Sequence, residues 1–122
     1  MIDKQLMLAS LAGYNAALGH YQRWAEDGTF PDGTAVNKSV NDAIDAALPS
    51  DYVYPNRPEL SRQDIIDNSN VIISETFEKI HKMGVLLHQG AESIYGQLKK
   101  GYDRLLAGVN AEAPVQEEAL AA

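Results

Sequence analysis

The chain contains no cysteine. That single absence excludes disulfides, thiolate zinc sites, iron–sulfur clusters and cysteine nucleophiles together, and it suits a reducing compartment. Long apolar runs are missing as well: no stretch approaches the ~20 consecutive apolar residues that a membrane-spanning helix needs. Met1, Ile2, Asp3 and Lys4 open the sequence without a basic segment leading into an apolar one. Neither a membrane interaction nor a secretory leader is therefore expected, and the protein reads as cytoplasmic, or as incorporated in a particle assembled in the cytoplasm. Basic residues are scarce, 10 against 17 acids, for a net charge of −7. The imbalance is uneven: residues 1–60 sum to −4, residues 61–109 to zero and residues 110–122 to −3. Without a basic footprint to release counterions, direct nucleic-acid binding is not expected. The acids are also too dispersed through loops and tail to form the dense stripe of a DNA mimic.

Catalytic signatures are equally thin. There is no Gly-x-Ser-x-Gly elbow and no phosphate-binding glycine loop. Glu78 and His81 have the Glu-x-x-His spacing that supplies two ligands of a di-iron bundle, but such a site needs a second pair. His20 and His88 have Ala17 and Val85 three residues before them, so that pair is missing. The acid pairs Glu75/Glu78 and Asp64/Asp67 read as solvated helix surface. Hence the expectation is a protein that is not an enzyme, with no metal, no cofactor and no small-molecule substrate.

What the sequence does have is helical periodicity. At 122 residues and 45% hydrophobic composition, one folded domain of ordinary globular type is expected. Met7, Leu11, Tyr14, Leu18, Tyr21 and Ala25 are spaced by alternating fours and threes, one stripe of a helix over 3–27. Beside it run the small residues Ala9, Gly13 and Ala17, which let another backbone come close. Phe30, Pro31, Asp32 and Gly33 read as a turn. Ser39 is then the N-cap of a short helix over 40–48, with Val40, Ala43, Ile44, Ala47 and Leu48 on one face and Pro49 as its stop. Residues 49–60, with Pro55 and Pro58, read as extended chain.

The strongest local signal is Ser61 with Asp64, a capping box, reinforced by Leu60 and Ile65 as a hydrophobic staple, which starts a helix near Arg62. Beyond it Ile66, Ile73, Ile80, Leu87 and Ile94 recur every seven residues. Asn70, Phe77, Gly84, Ala91, Leu98 and Leu105 fall at the position four after successive steps of that repeat. This is a coiled-coil-like heptad seam. Gly90 offers a break, yet the seven-residue phase passes through it without a slip, so one helix over about 62–107 is expected. The fold class is all-α: a helical bundle or hairpin with a long C-terminal helix, a long N-terminal helix, a short middle helix and two long loops. Residues 1–109 form the domain and 110–122 an acidic, Ala-rich tail.

A helix over 62–107 is roughly 70 Å long, whereas the one over 3–27 reaches only roughly 38 Å. Part of the seam would then stay uncovered, and contiguous exposed apolar surface marks an interface. The expected function is thus a non-catalytic structural or assembly protein, a homo-oligomer or a subunit among other proteins, with a virion-type particle as one setting. The interface residues would be Ile66, Ile73, Phe77, Ile80, Leu87, Ile94, Leu98 and Leu105, with Asn70 fixing register. Tyr52, Tyr54 and Arg57 add a proline-stiffened strip of the kind found at hot spots; the competing reading is that the tyrosines lid the bundle end. The alternative function is a small acidic regulator or inhibitor that masks a basic surface on a target.

Overall fold

A computed structural model describes residues 3–121 of the chain, with side chains through residue 110. Four helices follow one another: α1 (Lys4–Asp27), α2 (Gly33–Ala47), α3 (Arg62–Leu86) and α4 (Ala91–Ala121). No strand occurs among the described residues, and none of their helices is long and apolar enough to cross a membrane. The all-α bundle expected from periodicity is what forms. Three of its details differ.

α1 has the expected extent. Asp3 caps it by accepting from the Leu6 backbone N–H at 3.2 Å, and Gly28 ends it with a positive φ of 79°. Leu11, Tyr14, Leu18 and Tyr21 are buried, as is the small-residue strip. A Cβ added at Gly13 would lie 2.7 Å from Ile44 Cγ1. The missing side chain is therefore what lets α2 close on α1.

α2 begins at Gly33, not near Ser39. Asp32 is its N-cap, accepting from the Thr34 N–H at 3.1 Å, and the buried stripe is Val36, Val40 and Ile44. The first connection is consequently only residues 28–32, whereas the second, 48–61, is long and irregular as expected. Arg62 pins that second loop: its guanidinium donates to the carbonyls of Pro49, Asp45 and Leu48 and pairs with the Asp45 carboxylate.

α3 starts where its capping box predicts, with both reciprocal bonds present at 3.0 Å. It does not continue to residue 107. After Leu86 the chain turns through a Schellman-type cap: His88 N–H donates to Val85 O at 3.0 Å and Gln89 N–H to Gly84 O at 2.8 Å. The left-handed residue is His88, φ 56°, and not Gly90, whose carbonyl instead accepts the first α4 bond, from Ile94 N–H at 3.1 Å. Gly84 sits inside this hairpin, where a Cβ would come within 2.5 Å of Ile94 Cγ1. α4 then folds back, packing mainly on α1 and meeting α3 as well. It runs unbroken through the 109/110 boundary expected between domain and tail, and the side-chain packing of residues 111–122 lies outside the described residues.

The fold-back changes what the heptad seam does. Ile66, Ile73, Phe77, Ile94 and Leu98 are all buried in the chain's own core. The length mismatch that required a partner disappears, because the two arms of the seam cover each other and α1. α1 is the common member, touching each of the other three helices. Tyr14 and Tyr21 lie against Phe77 with ring centres 4.7 and 5.4 Å away, and the Tyr14 hydroxyl donates to Leu98 O at 2.9 Å. Asn70, buried on the seam, bonds within its own chain instead of to a partner: its amide donates to the Asn37 carbonyl and side chain and accepts from Ser74 Oγ, which ties α2 to α3.

Candidate functional site

Of the residues expected at an interface, the five buried seam positions serve the core and present no outer surface. Tyr52 is buried and its hydroxyl donates to the Asp3 carboxylate, and Tyr54 packs partly buried against the core. Both therefore lid the bundle end. Burial and the neighbouring Asp3 carboxylate push the Tyr52 phenol up, so it stays a donor. Arg57 is exposed and paired with Glu59. Ile80 is half-buried. Leu87 and Leu105 remain exposed.

The structure concentrates its unfilled space elsewhere. An open groove of about 720 Å³ runs between the α1–α2 turn and the C-terminal half of α3. Its floor is Tyr21, Phe77 and His81. One wall is Phe30, Pro31 and Val36, and the other is Glu78, Lys82, Val85 and Leu86. This volume falls in the usual range for binding clefts, ~300–1,000 Å³. Phe30, Val85 and Leu86 line it while 66%, 56% and 72% exposed, and Leu87 and Met83 beside them are exposed too.

Local chemistry explains the shape. Gly28 ends α1 in the left-handed region, Asp27 accepts the Thr29 N–H at 2.9 Å, and Asp32 immediately opens α2. Only a short bridge is left, which holds Phe30 edge-on to Trp24 at 5.8 Å and 5.7 Å from the His81 ring. On the far side, three consecutive apolar residues, Val85, Leu86 and Leu87, end a helix. At about 100° per residue they cannot all face one core, so the corner leaves them outside.

His81 is the polar centre of the groove floor. Its ring is 5.0 Å from Trp24 and 5.5 Å from Tyr21, and Nδ1 lies 2.9 Å from the Tyr21 hydroxyl. Burial, and secondarily the charge of Glu78, push the Tyr21 phenol up to about 12. The phenol is therefore neutral and shares its hydrogen bond with Nδ1, donating to it in the tautomer that carries the imidazole hydrogen on Nε2. Burial also pulls His81 below its ordinary 6.5, so the ring is neutral near pH 7. Its helical neighbour Glu78 is paired with Lys82 at 2.7 Å, which holds that carboxyl below its usual range. Both members of the Glu-x-x-His pair are thus already engaged, and no cluster of three His, Asp or Glu side chains with metal-holding geometry occurs among the described residues. His20 meets Ser39 Oγ at 2.8 Å through Nε2. Ser39 is therefore inside α2 and not at its cap.

Phe30 on the rim, and Trp24 packed behind it, do not belong to the periodic stripe. A signal exists: the only tryptophan sits one turn after Tyr21, and a phenylalanine stands two residues after the helix stop at Gly28. No protein-family model, curated protein or solved structure matches this chain.

Proposed function

We propose that this protein acts without catalysis, as an association subunit, and that it binds through the groove and its apolar rim. The observation that supports this is the grouping of Phe30, Val85 and Leu86, all exposed, in the lining of one cleft. Singly exposed apolar side chains such as Leu8 or Val53 are ordinary. A group that lines a concavity is the usual mark of a binding surface. The only imidazole on the groove floor is neutral and already bonded, and the rim's one ion pair is closed on itself. Those groups orient a ligand better than they attack one. In this reading the heptad seam holds the subunit together and the groove end holds it to others, in a larger assembly of which a virion-type particle is one setting. The lack of cysteine fits assembly in a reducing cytoplasm.

The test is native mass from the source material, with and without groove substitutions. Wild-type protein should run well above its monomer mass of 13.3 kDa. Leu86→Asp and Phe30→Asp should release it as a folded monomer with unchanged helicity. If wild-type protein is itself a lone monomer at native concentration, and both variants match it, the proposal fails.

A further inference from the structure

Resting on that reading, we infer that the partner is a second copy of this chain, docked antiparallel on the outer face of α3 about a two-fold axis that passes between Glu78 and Lys79. The placement of apolar surface selects the helix. Of the ten large apolar side chains exposed among the described residues, six belong to α3 and its cap: Val71, Ile72, Met83, Val85, Leu86 and Leu87. α3 turns Ile66, Ile73 and Phe77 into the core, and these six stay outside it. Ile72, Glu75, Lys79, Lys82 and Leu86 are all exposed and succeed one another by threes and fours, the spacing of one helix stripe. Val85 and Leu86 also line the groove, so stripe and groove form one continuous surface.

The order of side chains along the stripe selects the occupant. From residue 71 to residue 86 the exposed positions read apolar, acidic, basic, apolar: Val71 and Ile72, then Glu75 and Glu78, then Lys79 and Lys82, then Val85 and Leu86. Thr76 and Met83, the other exposed residues of this stretch, are uncharged. Rotation about an axis between positions 78 and 79 carries 71 onto 86, 72 onto 85, 75 onto 82 and 78 onto 79. Each acid then opposes a base, and each apolar end meets an apolar end. A surface that meets itself across a two-fold needs this inverted order, whereas one built for an unrelated partner does not.

Parallel pairing would set each acid and each base against its own image, which like-charge repulsion opposes. The four charges of the stripe cancel, so the net charge of −7 resides elsewhere in the chain and does not stand across the contact. Glu78 and Lys82 pair at 2.7 Å within one copy, with side chains 61% and 71% exposed. An exposed pair of that kind is weak and exchanges readily for partners across the axis. The apolar ends supply affinity, and the charges fix orientation.

The experiment reads mass by sedimentation velocity and orientation by crosslinking. The purified wild-type chain should form a dimer. Glu75→Lys with Glu78→Lys, confirmed folded by circular dichroism, should weaken it at least about tenfold, an effect that shrinks in high salt. Adding Lys79→Glu with Lys82→Glu should restore self-association, because the order is inverted once more. That quadruple variant should not mix with wild type, since antiparallel pairing of the two sets like charges together. The chain has no cysteine, so one introduced thiol reports alone. Thr76→Cys, whose image falls at position 81, ~8 Å away along the helix, should crosslink to its own copy through a short thiol-reactive linker. Asn68→Cys, whose image falls at position 89, ~31 Å away, should not. Crosslinking at both positions would mean parallel pairing and overturn the inference. Charge-reversed variants that dimerise like wild type would overturn it too and leave the groove reading standing. A chain that is monomeric when pure but part of a larger complex in its source material would assign the surface to another protein, again overturning this inference and sparing the groove reading. A lone monomer in both settings would overturn both.

Discussion

His88 occupies the left-handed region at φ 56°, in a cap position where glycine is the usual residue. A side-chain-bearing residue there costs about 1 kcal/mol. His88→Gly should therefore raise the unfolding free energy by about that amount, and His88→Val, β-branched, should lower it; urea midpoints at constant slope would measure both. His81 makes a different prediction. Burial lowers its folded-state pKa below the 6.5 of an exposed imidazole, so near and below that pH the unfolded chain binds a proton that the folded one resists. The unfolded state then carries more protons, and stability rises with pH. It is fully present above about 6.5 and falls as pH drops through 6.5 toward the folded value. The groups around the ring are Tyr21 and Trp24 from α1, Phe30 from the turn, and Glu78 and Lys82 from its own helix. His20 is lowered too, by burial and then Arg23, so the melting temperature of His81→Gln should keep a shallower slope between pH 7 and 5, whereas wild type shows the full one. A flat wild-type profile would contradict the assignment.

At the scale of elements, two helical glycines should respond in opposite directions. Gly84→Ala places a Cβ 2.5 Å from Ile94 Cγ1 across the α3–α4 hairpin, and 2.7 Å from its Cδ1. The gain in helix propensity, about 1 kcal/mol, should be outweighed by about 1–3 kcal/mol of overpacking. Gly96→Ala in α4 meets nothing within 4 Å and should stabilise by about 0.5–1 kcal/mol. Thermal melts of the pair separate packing from propensity. The hairpin also marks the limit of what could be read beforehand. α1 and the start of α3 were legible because stripe and capping box are local. The α3–α4 corner was not, because both arms turn their seam inward, so a seven-residue phase describes a hairpin as well as a straight rod. The glycine that flags the corner, Gly90, is not the left-handed residue: backbone bonds around His88 make the cap, and Gly90 opens α4. The start of α2 was missed because Pro31, Asp32 and Gly33 serve equally as turn residues and as a helix entry. The groove was not legible: in sequence Leu86 is one more apolar residue flanking the seam, and only the fold brings Phe30 opposite it.

For the whole molecule, the decisive question is whether the apolar surface that binds others is the seam or the groove end, and substitution separates the two. Ile73 and Leu98 are buried, at 6% and 0% exposure, among residues of α1, α3 and α4. Replacing either by alanine removes buried methyl groups and leaves a cavity, a loss of about 2–5 kcal/mol. Because α1 packs against each of the other three helices, that loss should appear as a single cooperative shift of the entire unfolding transition. The fraction that remains folded should associate as before, since neither side chain reaches the surface. Leu86 is 72% exposed, so Leu86→Asp should change stability by no more than about 0.5 kcal/mol while abolishing association. Chemical denaturation and sedimentation velocity on the same three variants give the comparison. Were Leu98→Ala to dissociate the assembly at full stability while Leu86→Asp left it intact, the seam would be the binding surface and the fold-back would open when the partner docks.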